Sequence, residues 1–166
     1  IEGPLEFGVF YVRYPDQQHG HVTSIVAKEM LCVTGDGAAS LGELILRHDR
    51  AKLQWKKLQR IFHQRLGEVV PKDQRIELVS IGNHCLGTKF LDGSNLITPA
   101  LSELFDNISR QIPGFYFGRY DIRCQSIEAL YAGDISVMEL NGCGAEPAHI
   151  YQPGYSLFKA LGVLFR

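Results

Sequence analysis

Two short segments near the C-terminal end, FYFGRYDIRC at 115–124 and DISVMELNG at 134–142, combine strand-forming residues with charged side chains. Because successive side chains of a strand point to opposite faces, Asp121 shares a face with the arginines two positions away, and Glu139 shares a face with Asn141. If the two strands pair with these faces together, Asp121, Glu139 and Asn141 converge at one end. The pattern therefore predicts a cluster of two carboxylates and one amide oxygen.

Oxygen donors of this kind suit Mg²⁺, which usually takes one or two carboxylates, keeps several waters and accepts further oxygens from substrate phosphates. Arg119 and Arg123 lie on the same face, and a guanidinium fork matches the geometry of phosphate oxygens. The alternative is a solvated ladder of surface salt bridges, which is common on exposed strands. Strict alternation also places Phe115 and Phe117 on the face of Asp121. It places Ile135 and Val137 on the face of Glu139.

The order of these residues resembles the closing motif of the ATP-grasp enzymes, in which an Asp on one strand and a Glu-x-Asn on the next bind magnesium. GRYDIR followed by VMELNG is most similar to the D-alanine–D-alanine-ligase-like branch of carboxylate–amine ligases. Upstream, GPLEFGVFYVR resembles the strand that follows the hinge in that family, and SIVAKE resembles the next strand with its phosphate-contacting lysine. The match covers nearly the whole chain in element order, but only the final strand pair is specific at the residue level.

The resemblance implies a role for each matched residue. The ligands of Mg²⁺, or of Mn²⁺ in its place, would be Asp121, Glu139 and Asn141. The phosphate contacts, which would also be the catalytic residues, are Arg119 and Lys28. Glu6 would contact the ribose, and Arg123 would be a further basic contact to the nucleotide.

By the same resemblance, ATP would phosphorylate a small-molecule carboxylate to an acyl phosphate, which an amine or thiol substrate would then attack. No nucleophilic side chain is needed, and the sequence shows no nucleophile–base motif. Two other functions stay open. One is a non-catalytic nucleotide-binding or interaction module that kept the fold, and the other is an ATP-grasp kinase that stops at phosphoryl transfer.

Several polar residues outside the strand pair have both a functional and an ordinary interpretation. Lys28 is either a phosphate contact or an exposed strand lysine. Asn83 and His84 lie between glycines in GNHCLGTKF, where they either bind nucleotide or substrate or stabilise the loop by hydrogen bonds. After Asn141, Glu146 and His149 could lie beside the reacting groups, but this segment differs from the dipeptide-ligase pattern, and packing or capping is the ordinary role of such a histidine.

The elements that must position these residues follow from periodicity and turn signals. A capping box at Ser40 and Glu43 and a Thr98–Pro99 start mark two helices. Leu53, Leu58, Ile61 and Phe62 are expected to face inward from the second helix. The expected strands are 5–14, 22–32, 75–80, 115–124 and 134–141, and the expected helices are 40–48, 50–66, 98–112, 126–131 and 155–165, with 82–94 as an ordered loop or short hairpin. This order predicts an α+β fold with a mostly antiparallel sheet and flanking helices, as in the C-terminal ATP-grasp subdomain.

The composition of the chain limits the kinds of protein that it can be. The 166 residues are 45% apolar and 21% charged with a net charge of −1, which predicts one globular domain and disfavours a nucleic-acid partner. No apolar run reaches membrane-spanning length, and the four scattered cysteines suggest neither zinc nor disulfides, so we expect a cytoplasmic protein. Because the chain begins Ile-Glu-Gly-Pro without Met, we expect 1–166 to be one domain of a longer enzyme, inactive alone, with the N-terminal subdomain as its partner. The oligomeric state is left open.

Overall fold

The computed structural model describes residues 3–79, 82 and 87–165. The chain divides into two compact units, of which the first comprises Ile1–Lys28 and Phe90–Arg166, and the second Glu29–Lys89. The expected α+β class with a mostly antiparallel sheet is confirmed. No helix among the described residues combines the length and the apolar content that crossing a membrane requires.

A five-stranded sheet organises the first unit, with the order β5-β2-β1-β6-β7. Strand β1 pairs antiparallel with both β2 and β6, and β6 pairs antiparallel with β7. The strands of this sheet are β1 (Leu5–Val12), β2 (His21–Glu29), β5 (Lys89–Asp92), β6 (Phe117–Cys124) and β7 (Ser136–Asn141). The segment expected to be a loop or hairpin therefore supplies an edge strand.

One face of this sheet carries the core of the first unit. Phe7, Val9 and Tyr11 of β1 alternate inward and pack with Tyr120 and Ile122 of β6. Two helices contribute to the same core, α3 (Pro99–Arg110) and α4 (Ile127–Ala132). Their N-caps, Thr98 and Ser126, accept hydrogen bonds from backbone amides of the first turn, as the sequence predicted for α3. The opposite face of the sheet is left for polar side chains.

A β-bulge in β7 corrects the predicted alternation. Asp121 pairs with Glu139, but Ile122 pairs with Val137, so Met138 is the additional residue in β7. Val137 is therefore in register with a core-facing residue, and Ile135 packs against the core. The assignment of Ile135 and Val137 to the face of Glu139 was wrong, because the inserted residue Met138 shifts the alternation of side chains between the two faces of the sheet.

Phe115 was also assigned to the wrong place. It precedes β6, lies partly buried against the core, and stacks on Tyr11 with ring centroids 6.2 Å apart. Phe117 begins the strand and is exposed. The strand β6 starts at Phe117, two residues later than the sequence suggested. Phe115 therefore lies outside the strand and is not part of the predicted polar face.

The second unit contains a two-stranded sheet of β3 (Cys32–Thr34) and β4 (Arg75–Glu77) with helices α1 (Leu41–Arg47) and α2 (Trp55–Ile61). The capping box of Ser40 and Glu43 is confirmed. The helix expected over 50–66 is shorter, because a 3-10 turn at Lys52–Gln54 precedes α2. Of the side chains expected to face inward from it, Leu58 is fully buried, whereas Leu53 and Ile61 are exposed.

The last helix, α5 (Leu157–Leu164), forms where the sequence predicted it. Its N-cap position is Ser156, and its apolar side chains are largely exposed, Phe158 at 85%.

Candidate functional site

The polar face of the sheet brings most of the predicted site residues together. Because partners in register lie on the same face, Lys28 of β2 and Arg123 of β6 flank Glu6 of β1. Asp121 of β6 is in register with Glu139 of β7, and Arg119 is in register with Asn141. Four adjacent strands thus contribute Glu6, Lys28, Arg119, Asp121, Arg123, Glu139 and Asn141 to one surface.

Glu6 is 4% exposed and forms the centre of one half of this surface. Its Oε1 accepts a hydrogen bond from Nζ of Lys28 at 3.0 Å. Its Oε2 accepts from Nε and Nη2 of Arg123 at 3.1 and 3.0 Å. Both oxygens of this buried carboxylate are therefore held by cations, and the implied ribose contact stays a prediction.

Asp121 is 5% exposed and forms the centre of the other half. Nζ of Lys28 lies 3.2 Å from its Oδ1, and the same oxygen accepts a hydrogen bond from Nε of Arg119 at 3.1 Å. Nδ2 of Asn141 lies 3.5 Å from Oδ2. Because Lys28 contacts both Asp121 and Glu6, the two buried carboxylates belong to one continuous network of charges.

Glu139 differs from the other acidic groups because it is exposed. It makes no ion pair or hydrogen bond with any residue that the structure describes. Its register partner is Asp121, and Asn141 follows two residues later on the same face. The structure therefore brings the three predicted metal ligands onto one face, with one buried carboxylate, one free carboxylate and one partly exposed amide.

The buried network alternates cations with carboxylates. The three cations Lys28, Arg119 and Arg123 contact the two carboxylates Glu6 and Asp121. The exposed carboxylate of Glu139 lies on the same face, opposite Asp121. The side chains of Arg119 and Arg123 are each 23% exposed, whereas that of Lys28 is 6% exposed. The two arginines are thus the cations most able to reach a ligand.

Gly8 leaves the space in which Asp121 and Arg119 meet. It is in register with Asp121, and a Cβ atom there would lie 2.8 Å from Cγ1 of Val26 and 3.1 Å from Cδ of Arg119. Any side chain at this position would therefore displace Val26 or the charged groups beside it. Gly8 was not among the residues singled out from the sequence, although an isolated glycine within a strand of large residues is a signal of close approach.

The segment that follows β7 contacts the same face. The backbone carbonyl of Glu146 accepts a hydrogen bond from Nη1 of Arg119 at 3.4 Å, and the Glu146 carboxylate is bonded to the hydroxyl of Tyr151. His149, in a 3-10 turn at Ala148–Tyr151, is buried, and its Nδ1 lies 2.6 Å from Oγ of Ser24 in β2. These contacts hold the segment against the polar face.

Burial lowers the pKa of His149, because the protonated ring would lose its hydration, and the carboxylate of Asp92 offsets part of this effect. The neutral ring can then share a hydrogen bond with Ser24. This is the packing role that the sequence analysis gave as the ordinary alternative for His149, and Ser24 is a partner that the sequence did not indicate.

The oxygen donors fit magnesium by type. Among the described residues, no group of three His, Cys, Asp or Glu side chains could hold a metal ion. The predicted donors are two carboxylates and one amide oxygen, a smaller set of the kind that Mg²⁺ uses when waters and phosphates complete its coordination. Asp121 would have to exchange a contact with Arg119 or Lys28 for the ion. The metal role of these three residues stays a prediction, and Asn83 and His84 lie outside the described residues.

No protein-family model matches the sequence, and no curated protein matches it. Among solved structures, the chain is similar to a bifunctional glutathione synthetase from Pasteurella multocida, with a TM-score of 0.55 and 16% identity over 91% of this chain. The chain spans only 22% of that protein's length. At this identity the likeness shows the fold alone, and that fold is consistent with the ATP-grasp fold implied by the sequence resemblance. Placement in the D-alanine–D-alanine-ligase-like branch stays a prediction.

Proposed function

We propose that this chain is the ATP- and magnesium-binding part of an ATP-dependent carboxylate–amine or carboxylate–thiol ligase that acts through an acyl phosphate. The observation that carries the proposal is the register of β6 with β7, which aligns Asp121 with Glu139 and Arg119 with Asn141. The fold shared with a glutathione synthetase supports it. The remaining parts of the nucleotide site would come from the rest of the enzyme.

In this proposal, the basic side chains bind the phosphates of ATP. Arg119 and Arg123 are the partly exposed cations of the network, and each can present two N–H groups to phosphate oxygens. Lys28 contributes charge from a more buried position between Glu6 and Asp121. As negative charge spreads over the transferred phosphoryl group, these cations, once in contact with the phosphates, stabilise it without further reorganisation.

The acidic and amide side chains would hold the divalent ion. When bound, magnesium would supply positive charge that offsets the negative charge of the phosphates. Glu139 has an exposed carboxylate for this purpose, and Asn141, whose amide nitrogen lies 3.5 Å from Oδ2 of Asp121, would offer its amide oxygen. Contact of Arg119 with a phosphate would remove part of the charge that compensates Asp121, so binding of the nucleotide and of the ion would favour each other.

The chemistry itself needs no covalent intermediate on the enzyme. A carboxylate oxygen of the substrate attacks the γ-phosphorus, and the bond to ADP breaks. The nitrogen of an amine or the sulfur of a thiol then attacks the carbonyl carbon, inorganic phosphate leaves, and the nucleophile loses a proton to solvent or to a nearby base. The chain's task is to position the phosphates and neutralise their charge.

The decisive experiment is isothermal titration of Mg-ATP into the full-length enzyme that contains this chain. We expect Asp121→Asn combined with Glu139→Gln to weaken Mg-ATP binding by at least about tenfold, since a lost charged contact is worth roughly 1.5–3 kcal/mol. Exposed carboxylates away from the site serve as matched controls, and Asp134→Asn combined with Glu103→Gln should bind like the wild type.

Three results would count against the proposal. They are unchanged binding and unchanged ATP hydrolysis in the site variant, equal loss in the control variant, and ATP binding that does not depend on magnesium. Product analysis then separates the open alternatives. A ligase releases ADP and inorganic phosphate together with a joined product, a kinase leaves a stable phosphorylated product, and a non-catalytic module binds Mg-ATP without turnover.

A further inference from the structure

The second unit contains a cavity of about 70 Å³ that has no part in the proposed nucleotide site. Its walls include the basic residues His48, Arg50 and Lys89, the acidic residue Glu29, and the apolar side chains of Met30 and Leu31. A cavity of this size holds more than a single water molecule. Its polar lining is the part that needs a chemical explanation.

Arg50 supplies the main reason to expect a ligand. Its Nη2 donates a hydrogen bond to the backbone carbonyl of Thr88 at 2.7 Å. Its Nη1 is buried and has no hydrogen-bond acceptor among the residues that the structure describes. A buried donor on a charged group without an acceptor is costly, so native proteins normally supply one from a water or a bound molecule.

His48 adds a second donor to the cavity wall. The backbone amides of Arg50 and Ala51 lie 3.3 and 3.2 Å from its Nδ1 and donate to it. Because Nδ1 accepts two hydrogen bonds, it carries no proton, and the proton of the neutral ring lies on Nε2. That nitrogen is therefore a donor, and no described residue accepts from it.

The charges in the cavity are not balanced. Lys89 and Glu29 form an ion pair at 3.1 Å, which compensates both groups. Arg50 forms no ion pair with any described carboxylate, so one positive charge remains. The lining thus combines one buried donor without an acceptor on the uncompensated Arg50, a ring nitrogen of His48 and a partly apolar wall of Met30 and Leu31.

From this arrangement we propose that the cavity binds a small monocarboxylate. The carboxylate group accepts hydrogen bonds from Arg50 and His48, and a short aliphatic portion packs against Met30 and Leu31. A guanidinium group and a carboxylate match in shape and charge. A single negative charge balances Arg50, whereas a dianion such as phosphate would leave one negative charge uncompensated. The competing occupant is a pair of ordered waters.

The test is an NMR titration of the whole chain with sodium acetate, in which sodium chloride keeps the ionic strength constant. We expect saturable shifts of the Arg50 side-chain and His48 ring signals, with a dissociation constant on the order of millimolar for so small a ligand. Arg50→Gln should weaken acetate binding by about tenfold or more. Arg60→Gln removes the same charge from an exposed position of α2 and should leave binding unchanged.

Four results would overturn the proposal. They are shifts that do not saturate with acetate, an equal response to chloride alone, equal loss of binding in Arg60→Gln, and tighter binding of inorganic phosphate than of acetate. If Arg50→Gln does not fold, the wild-type titration decides between acetate and water, and Arg50→Lys tests whether the planar fork is required. Because the readout does not involve ATP, failure here is independent of the proposed function.

Discussion

Gly8 of β1 and Asp121 of β6 lie directly opposite each other, and a Cβ atom on Gly8 would lie 3.2 Å from Oδ1 of Asp121. The same atom would lie 2.8 Å from Cγ1 of Val26, which is fully buried. Even one methyl group at this position therefore has to displace a stiff core side chain or the charged pair beside it.

We expect Gly8→Ala to lower the free energy of unfolding by about 1–3 kcal/mol, as overpacking typically does. It should also weaken Mg-ATP binding in the full-length enzyme, because Arg119 and Asp121 must shift. Urea denaturation measures the first effect and calorimetric titration the second. Gly142→Ala is the matched control, since a Cβ atom there meets no atom within 4 Å. A Gly8→Ala protein as stable as the wild type would show that the close approach is not a packing constraint.

The Glu6–Arg123 pair should contribute strongly to stability. Glu6→Gln leaves two cations facing a neutral group at a buried position, and breaking such a pair typically costs about 3–5 kcal/mol. We expect Glu6→Gln to lie near the lower limit, because Lys28 keeps its contact with Asp121. A double-mutant cycle with Arg123→Gln, measured by urea denaturation, gives the coupling between the two residues.

The exposed Arg65–Glu68 pair is the control for that cycle, because it has a similar Nε–Oε distance of 2.7 Å but lies in solvent. Its coupling should be much smaller, since surface pairs are hydrated and screened. Equal couplings for the two pairs would mean that burial of the Glu6 network does not strengthen its ion pairs.

The burial of His149 predicts that the stability of the fold depends on pH. Burial lowers the pKa of His149 below its ordinary value of 6.5, so the unfolded chain binds this proton more readily than the folded chain. Its contribution is therefore fully present above pH 6.5, falls as the pH drops below that value, and is lost below the lowered pKa. His149→Gln should remove this slope. Urea midpoints of the two proteins, compared between about pH 5 and 7.5, measure the difference. Parallel curves would rule out His149 as the source.

Local patterns were sufficient to predict most elements of the fold. The Ser40–Glu43 capping box and the Thr98–Pro99 helix start depend on residues three positions apart, and both are confirmed. The strand that contains Glu6 and the strand that contains Lys28 were expected from β-branched and aromatic composition, and both form. The edge strand β5 lies in a segment that was expected to be either an ordered loop or a short hairpin, because its four residues gain strand structure only by joining an existing sheet.

The helical periodicity of the second unit was less reliable. Leu58 is buried as expected, but Leu53 is 77% exposed because it lies in the 3-10 turn before α2. A change from three to 3.6 residues per turn rotates side chains relative to one another, so spacing alone could not decide which of them faces the core.

For the candidate site, the sequence by itself determined the residue types and, through alternation within β6, that Arg119, Asp121 and Arg123 share a face. Only the tertiary structure decided which groups meet. The order β2-β1-β6-β7 brings Lys28 into contact with both Glu6 and Asp121, although these residues are far apart along the chain. The bulge at Met138 separates Val137 from the face of Glu139. The physical reason is that strand periodicity is local, whereas pairing register and burial depend on contacts between distant segments.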